Sequence, residues 1–410
     1  MSGTFMVAGQ TISAVEFTGT KRTKEDFLYR WLTSKQGDSL HHPSLEEDLK
    51  FLQNLSIFSS VAYTIETDTG SINQNAVITF TVEESLALLP IIGIGGIQEN
   101  VNIQIGLADY NVGGRTGQAA FIYNYYDRHS FQAYLHQRYI RTTPFGIAAN
   151  IERRATLEPV YVDTFSTTYL ATRWVVEMMP GIHINRFIYV QGGGAWLKET
   201  YTNNNDIAIF DIGLPEVVDT EKWLFKILIT ADRRQYDRQH VGGWVSQLHA
   251  EHINSPFDPV PFFKVFNENK WYVRGGDGNY AGRLRLGVAT NTFSPFPPFV
   301  LDSYVNIRGA GNRIARGTAE VVLNQEYRYT LYENNWGAFQ LVGFSDLGTL
   351  RPAGGTFKDM LDENNVVWRT GAGGRIYMSR FYHLFLRADF GFNPLKGKEN
   401  GFVLGLGQYF

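Results

Sequence analysis

The run Glu320-Val-Val-Leu-Asn-Gln-Glu-Tyr-Arg-Tyr329 decides the fold. Glu320, Asn324, Glu326 and Arg328 fall on one parity, and Val321, Leu323, Tyr327 and Tyr329 on the other. A period of two places successive side chains on opposite faces of a strand. One face here carries charges of both signs, and the other is apolar or aromatic. The pattern recurs outward from this run. Phe131, Ala133 and Leu135 alternate with Gln132, Tyr134, His136 and Arg138. Arg283 and Arg285 alternate with Leu284, Leu286 and Val288, and Arg387 and Asp389 with Leu386, Ala388 and Phe390.

A water-soluble sandwich also alternates, but its apolar side is the inside and needs matching Val and Ile to fill it. Here that side is rich in aromatics, and strand-end residues such as Tyr123, Tyr125 and Tyr126 suit an interfacial girdle. Only helices and closed barrels satisfy every backbone polar group in lipid. The expectation is therefore a mainly β chain. It has a transmembrane antiparallel barrel over residues 86–410, of about 16 strands, an even number as bacterial barrels require.

Composition agrees. The 410 residues include 41 Gly, 22 Tyr and 29 Phe, with a mean hydropathy of only -0.20. No stretch approaches the roughly 20 apolar residues of a membrane helix, while a barrel averages its two faces to such a value. A net charge of -3 gives no reason to expect a nucleic-acid partner. With no cysteine, disulfides and thiolate metal sites are excluded, and neither metal nor cofactor is expected. Met1 to Ala8 has no basic n-region and no long apolar h-region. The membrane reading thus expects a signal segment already removed, or a longer parent chain.

Residues 10–85 read differently. Val15 and Phe17 alternate, and Phe27, Leu28, Trp31 and Leu32 share a helix face that Thr23 is placed to cap, with Asp26 three residues on. Ser44 and Glu47 form a capping-box pattern ahead of Leu45, Leu49 and Leu52. Val61, Tyr63 and Ile65, then Ile78, Phe80 and Val82, alternate again. Strand, helix, helix, strand, strand is a small α+β unit. Its run from Ile12 to Phe17, the pair Gly37-Asp38, Leu52, the run Ile57 to Val61 and the ending Phe80-Thr-Val-Glu-Glu84 resemble a POTRA domain.

A second resemblance lies near the C-terminus. After the proline-rich stretch Pro295 to Pro298 comes Tyr304-Val-Asn-Ile-Arg308-Gly309-Ala310-Gly-Asn312-Arg313. It resembles the inward-folded loop motif, Val-Arg-Gly-Phe/Tyr, of the outer-membrane superfamily containing BamA, TamA and the TpsB transporters. The following Gly317 to Glu320, Asn324 to Arg328, Val342-Gly-Phe344-Ser-Asp346-Leu-Gly348, Gly371 to Arg375 and Arg387 to Asp389 keep that superfamily's order. Five strands are expected after the loop, at about 317–331, 337–348, 366–379, 383–392 and 400–410, with the loop at about 292–316. That matches the superfamily's barrel, whose inserted loop precedes its last five strands. The resemblance implies that Arg308 reaches into the lumen and pairs with Asp346, beside Gly309, near a network of Glu320, Glu326, Arg328, Arg387 and Asp389. Ala310 stands where the superfamily has an aromatic. The ending Tyr409-Phe410 resembles its C-terminal assembly signal.

The first barrel strand, near 87–97, holds Pro90, Gly93, Gly95 and Gly96, and the closing strand holds Gly401, Gly405 and Gly407. Both are poor pairers, so this closure is expected to be a lateral seam. Three letter patterns are set aside. Gly37-Asp-Ser-Leu40 lacks the strand-to-helix elbow of a nucleophile, His249 and His252 fall on opposite strand faces, and Gly192 to Gly194 precedes no helix. No catalytic residue is assigned. The resemblance implies an outer-membrane insertase or translocase with its POTRA domain in the periplasm. Its expected partners are lipid, extended client polypeptides, and accessory periplasmic proteins or a second copy. The alternative is a membrane anchor or assembly platform for a fused or partner protein.

Overall fold

The computed structural model describes residues 10–55, 57–67, 75–97, 100–126, 128–162, 165–204, 215–256, 260–293, 297–303, 305–311, 315–381, 384–395 and 399–410. Met1 to Ala8, Pro295, Tyr304, Asn312 and Arg313, named above, lie outside them, as does residue 383, where one expected strand begins.

The N-terminal unit runs β1 (Ile12–Thr18), α1 (Glu25–Trp31), α2 (His42–Asn54), β2 (Phe58–Thr67) and β3 (Ala76–Glu84). Its sheet is ordered β1-β3-β2, with β1 parallel and β2 antiparallel to β3. One sheet face and both helices bury Ile12, Phe27, Leu28, Leu45, Leu52, Ile78, Phe80 and Val82. Neither expected cap forms. Helix α1 starts behind Lys24, because the Glu84 carboxylate collects the N–H groups of Lys21, Arg22 and Thr23 at 2.8–3.1 Å and fixes that turn. Helix α2 starts two residues before Ser44, with Pro43 in its first turn; proline brings no N–H there to be capped.

The barrel strands are β4 (Leu88–Ile97), β5 (Asn100–Val112), β6 (Gly117–Tyr126), β7 (Arg128–Gln137), β8 (Phe145–Val162) and β9 (Phe165–His183). Next come β10 (Ile188–Asn203), β11 (Val217–Asp232), β12 (Gln235–Asp237), β13 (His240–Asn254), β14 (Phe262–Gly275) and β15 (Gly278–Ala289). A short hairpin, β16 (Phe299–Leu301) and β17 (Ala315–Gly317), interrupts them. The wall resumes with β18 (Ala319–Asn334), β19 (Gly337–Arg351), β20 (Val366–Met378), β21 (Leu384–Phe392) and β22 (Asn400–Leu406). These strands close antiparallel, β22 against β4. β12 continues β11 along the same neighbour, β13, so the described residues make a wall of 16 strands.

The last strand ends at Leu406, short of the expected residue 410. Gly407 has φ +84°, a left-handed conformation that glycine adopts without Cβ strain. It turns the tail into the barrel, where Tyr409 is buried.

The barrel inverts a soluble core. Its largest fully buried side chains include Arg308, Arg328 and Arg375, whereas Trp223, Phe225 and Phe121 on the outer face are 61%, 66% and 57% exposed. An apolar exterior around a charged interior is stable only when the solvent outside is lipid. No helix among the described residues is long and apolar enough to cross a membrane.

The N-terminal unit docks on the barrel rim below β5 to β13. Phe27 packs on Tyr139 and Trp31 on His183, with centroids 4.9 and 5.4 Å apart. Arg186 reaches Asp48 at 2.7 Å, Arg115 reaches Asp26 at 2.9 Å, and Arg22 reaches Asp109 at 2.7 Å.

Candidate functional site

The hairpin β16–β17 is the stalk of a loop folded into the lumen. Phe299, Leu301 and Ile307 pack with Ala289, Val322 and Leu350, an apolar patch that fastens the stalk to the β15–β18–β19 wall. Beyond it, the Asn324 side chain donates to the carbonyl of Asn306 at 2.7 Å.

At the tip, Arg308 is fully buried and bonded on three sides. Its Nε and Nη2 donate to the two oxygens of Asp346 at 2.7 and 2.8 Å, and its backbone N–H adds a bond of 3.0 Å to the same carboxylate. Nη1 donates to Glu326 at 2.6 Å. The planar fork matches a carboxylate, so orientation as well as distance is fixed. Glu326 also takes Arg328, and Arg375 pairs with Asp389 at 2.7 Å. Three guanidinium groups and three carboxylates thus neutralise one another, as burial of charge requires.

The structure brings Arg308, Asp346, Glu326, Arg328 and Asp389 together, and adds Arg375, which the sequence reading quoted only as motif. Of the other named residues, Glu320 lies apart from this cluster, whereas Arg387 borders it, registered opposite Arg375. Glu320 binds Arg285 at 2.5 Å beside Glu268 and Arg283. Arg387 lies 5.0 Å from the Tyr409 ring.

The aromatic that Ala310 lacks is supplied from elsewhere. The Arg308 guanidinium lies 3.8 Å from the Phe344 ring and 4.5 Å from Tyr409. Ala310 itself packs on the stalk's apolar patch. Alternation could not reveal this, because it makes the terminal aromatics a continuation of the strand.

Gly309, at φ +76°, couples tip to wall. A Cβ there would lie 2.8 Å from the Gly391 carbonyl on β21 and 3.0 Å from that of Gly401 on β22. The loop tip therefore rests directly on the closing strand.

That strand is weakly held. β10 and β11 pair over fifteen residues, Ile188 to Thr202. Among the described residues, β22 meets β4 from Phe402 to Gly405, opposite Gly96 to Gly93. Gly405 faces Gly93 and Gly95 faces Val403. Pro90 lies below this contact, registered with Leu107 of β5, and Gly407 lies past the strand. The closure thus has a short ladder and little side chain to pack across it.

Ser39 sits in the connection between α1 and α2. His249 stacks on Phe266 inside the barrel, while His252 packs on the exposed Phe263 outside. Among the described residues no group of three or more His, Asp or Glu is placed to hold a metal.

Comparison with known proteins places this geometry. The POTRA family, described as surface antigen variable number repeat, matches residues 10–85. No curated protein sequence matches the chain. Among solved structures, CdiB from Acinetobacter baumannii is similar at 15% identity and a TM-score of 0.61, covering 97% of this chain and 74% of that one. CdiB from Escherichia coli is similar at 12% identity and 0.60, covering 97% and 76%. BamA from Haemophilus ducreyi lacking POTRA domains 1–3 is similar at 12% identity and 0.56, covering 97% and 84%. At these identities the likeness is one of fold.

Proposed function

We propose that this chain, which has the fold of the BamA, TamA and TpsB superfamily and carries a POTRA domain, is an outer-membrane insertase or translocase of polypeptides. The observation that carries the reading is the closure. In a barrel wetted by lipid, the joint pairs over four positions among the described residues, and the buried loop tip rests on the strand that forms it. An extended client can exchange its own backbone hydrogen bonds for those of β4 or β22, whereas a passive anchor has no use for so weak a joint.

The POTRA domain would supply the client. Its outer strands, β1 and β2, leave backbone donors and acceptors for strand addition. On this reading the domain lies in the periplasm, the Arg308 cluster locks the loop, and the seam is Gly93 and Gly95 against Gly405 and Val403. Tyr409 and Phe410 would serve the chain's own assembly as well as sealing the lock.

The test is reconstitution. Liposomes carrying the purified chain should fold an added, urea-unfolded outer-membrane barrel faster than empty liposomes, and deletion of residues 10–85 should abolish the gain. Equal rates with and without the protein, together with no protected export of an unfolded polypeptide, would refute the reading.

A further inference from the structure

The loop is held at a second point, on the opposite wall. Arg316, on β17 of the stalk, extends away from the strands that carry the stalk. Its Nη1 lies 3.5 Å from Oε2 of Glu158 on β8, and both side chains are buried. Its Nε donates to the Pro297 carbonyl at 3.0 Å. In the strand order, β8 stands eight strands from β19, which carries Asp346. That is half of a 16-strand circumference, so the loop spans the lumen from Asp346 to Glu158.

The two attachments are unequal. Arg308 makes a forked bond, a bond to a second carboxylate and a backbone bond, all at 2.6–3.0 Å. Arg316 meets its carboxylate at 3.5 Å through one nitrogen. A rotation about the Arg316 side-chain bonds breaks the second attachment and leaves the first intact. Beside it lies a cavity of about 300 Å³ bounded by Arg316 and Pro298 on the loop side and by Arg173, Glu199, Lys222 and Lys264 on the wall.

We propose that Arg316 and Glu158 form a separate latch, which closes the β8–β14 side of the lumen to solutes while Arg308 keeps the loop in place. The proposal rests on the membrane-barrel reading but not on the identity of any client.

Single-channel conductance of the full chain in planar bilayers tests it, in potassium chloride and without any polypeptide. Arg316→Gln and Glu158→Gln should each raise the mean conductance several-fold, and the reversal Arg316→Glu with Glu158→Arg should return it toward the native level. The same increase should persist with β4 and β22 cross-linked through Ile94→Cys and Leu404→Cys. Heat-dependent gel mobility reports folding, and either single variant suffices if the other fails to fold. Native conductance in a folded single variant overturns the latch. So does a double reversal as leaky as Arg316→Glu alone, or a leak that vanishes when the seam is cross-linked. Because no client is present, a failed client-folding assay refutes the transport reading and leaves this result standing.

Discussion

The Tyr409 ring lies 4.5 Å from the Arg308 guanidinium, and its hydroxyl donates to the Ser303 carbonyl at 3.0 Å. The end of the chain therefore closes over the loop tip from a strand that is itself half of the barrel's joint. Tyr409→Phe removes only the hydroxyl bond and should cost about 1 kcal/mol. Tyr409→Ala removes a buried aromatic and should cost about 3–5 kcal/mol. The temperature at which the folded gel mobility is lost should fall in that order, and equal values for the two variants would exclude a packing role.

Arg308→Ala leaves Asp346 buried without its main partner and takes one of the guanidinium groups from Glu326, which keeps Arg328. Removing one member of a buried pair costs about 3–5 kcal/mol, and the same melting assay should show a loss of that size. Arg308→Lys keeps the charge and loses the fork, so it should fall between the native chain and Arg308→Ala. A lysine variant as stable as the native chain would mean that charge alone holds the loop.

The cluster was partly legible in the sequence, for physical reasons. Alternation fixes which side chains face the lumen, so Glu326, Arg328 and Asp389 read as interior from the sequence alone. The Arg308 and Asp346 pairing needed more, since the two stand 38 residues apart with an entire strand between them; it came from motif order, not from periodicity. Arg375 was missed because the glycine-rich run before it weakens the alternation. The inward turn at Gly407 was missed because a lone glycine near a strand end has no periodic signature. The latch at Glu158 was out of reach, since its partner lies half a circumference away and only closure brings them together. The Thr23 cap failed for a long-range reason: Glu84, over sixty residues downstream, holds the turn of Lys21 to Thr23, and the helix starts one residue later, behind Lys24.

Glu84 gives the POTRA domain an acid-sensitive clasp. Burial pushes its carboxyl up, but the N–H groups of Lys21, Thr23 and Arg22 outweigh that and hold it below the ordinary range. A depressed folded-state pKa stabilises above the unfolded value, about 4.3 for Glu, and the benefit is lost as pH falls through the folded value. The chain has no cysteine, so Lys24→Cys accepts a single fluorescent label. The label should loosen as pH drops below the ordinary carboxylate range. With Glu84→Gln it should already be loose at neutral pH and respond little to acid. An unchanged neutral-pH signal in Glu84→Gln would contradict this.

Arg186 and Asp48 form one of the three ion pairs named above that dock the POTRA domain. Asp48 also accepts the N–H groups of Thr33 and Ser34 at 2.7 and 2.8 Å, so it serves the domain's own fold. Arg186→Ala should release the domain without unfolding it, weakening docking by about 1.5–3 kcal/mol as expected for a charged hydrogen bond. Asp48→Ala should do both. Electron-spin distances between labels at Lys50→Cys and Arg141→Cys should broaden in both variants. A narrow native distribution in Arg186→Ala would show that the aromatic contacts suffice.

The seam is tested most directly by a reversible lock. Ile94 and Leu404 are registered partners across it, and cysteines at both positions in this cysteine-free chain should form one disulfide between β4 and β22. Folding of an added client barrel should be measured in liposomes, oxidised and then reduced. The oxidised protein should lose the stimulated rate and recover it on reduction. A fully oxidised protein that stimulates folding as well as the reduced one would contradict it.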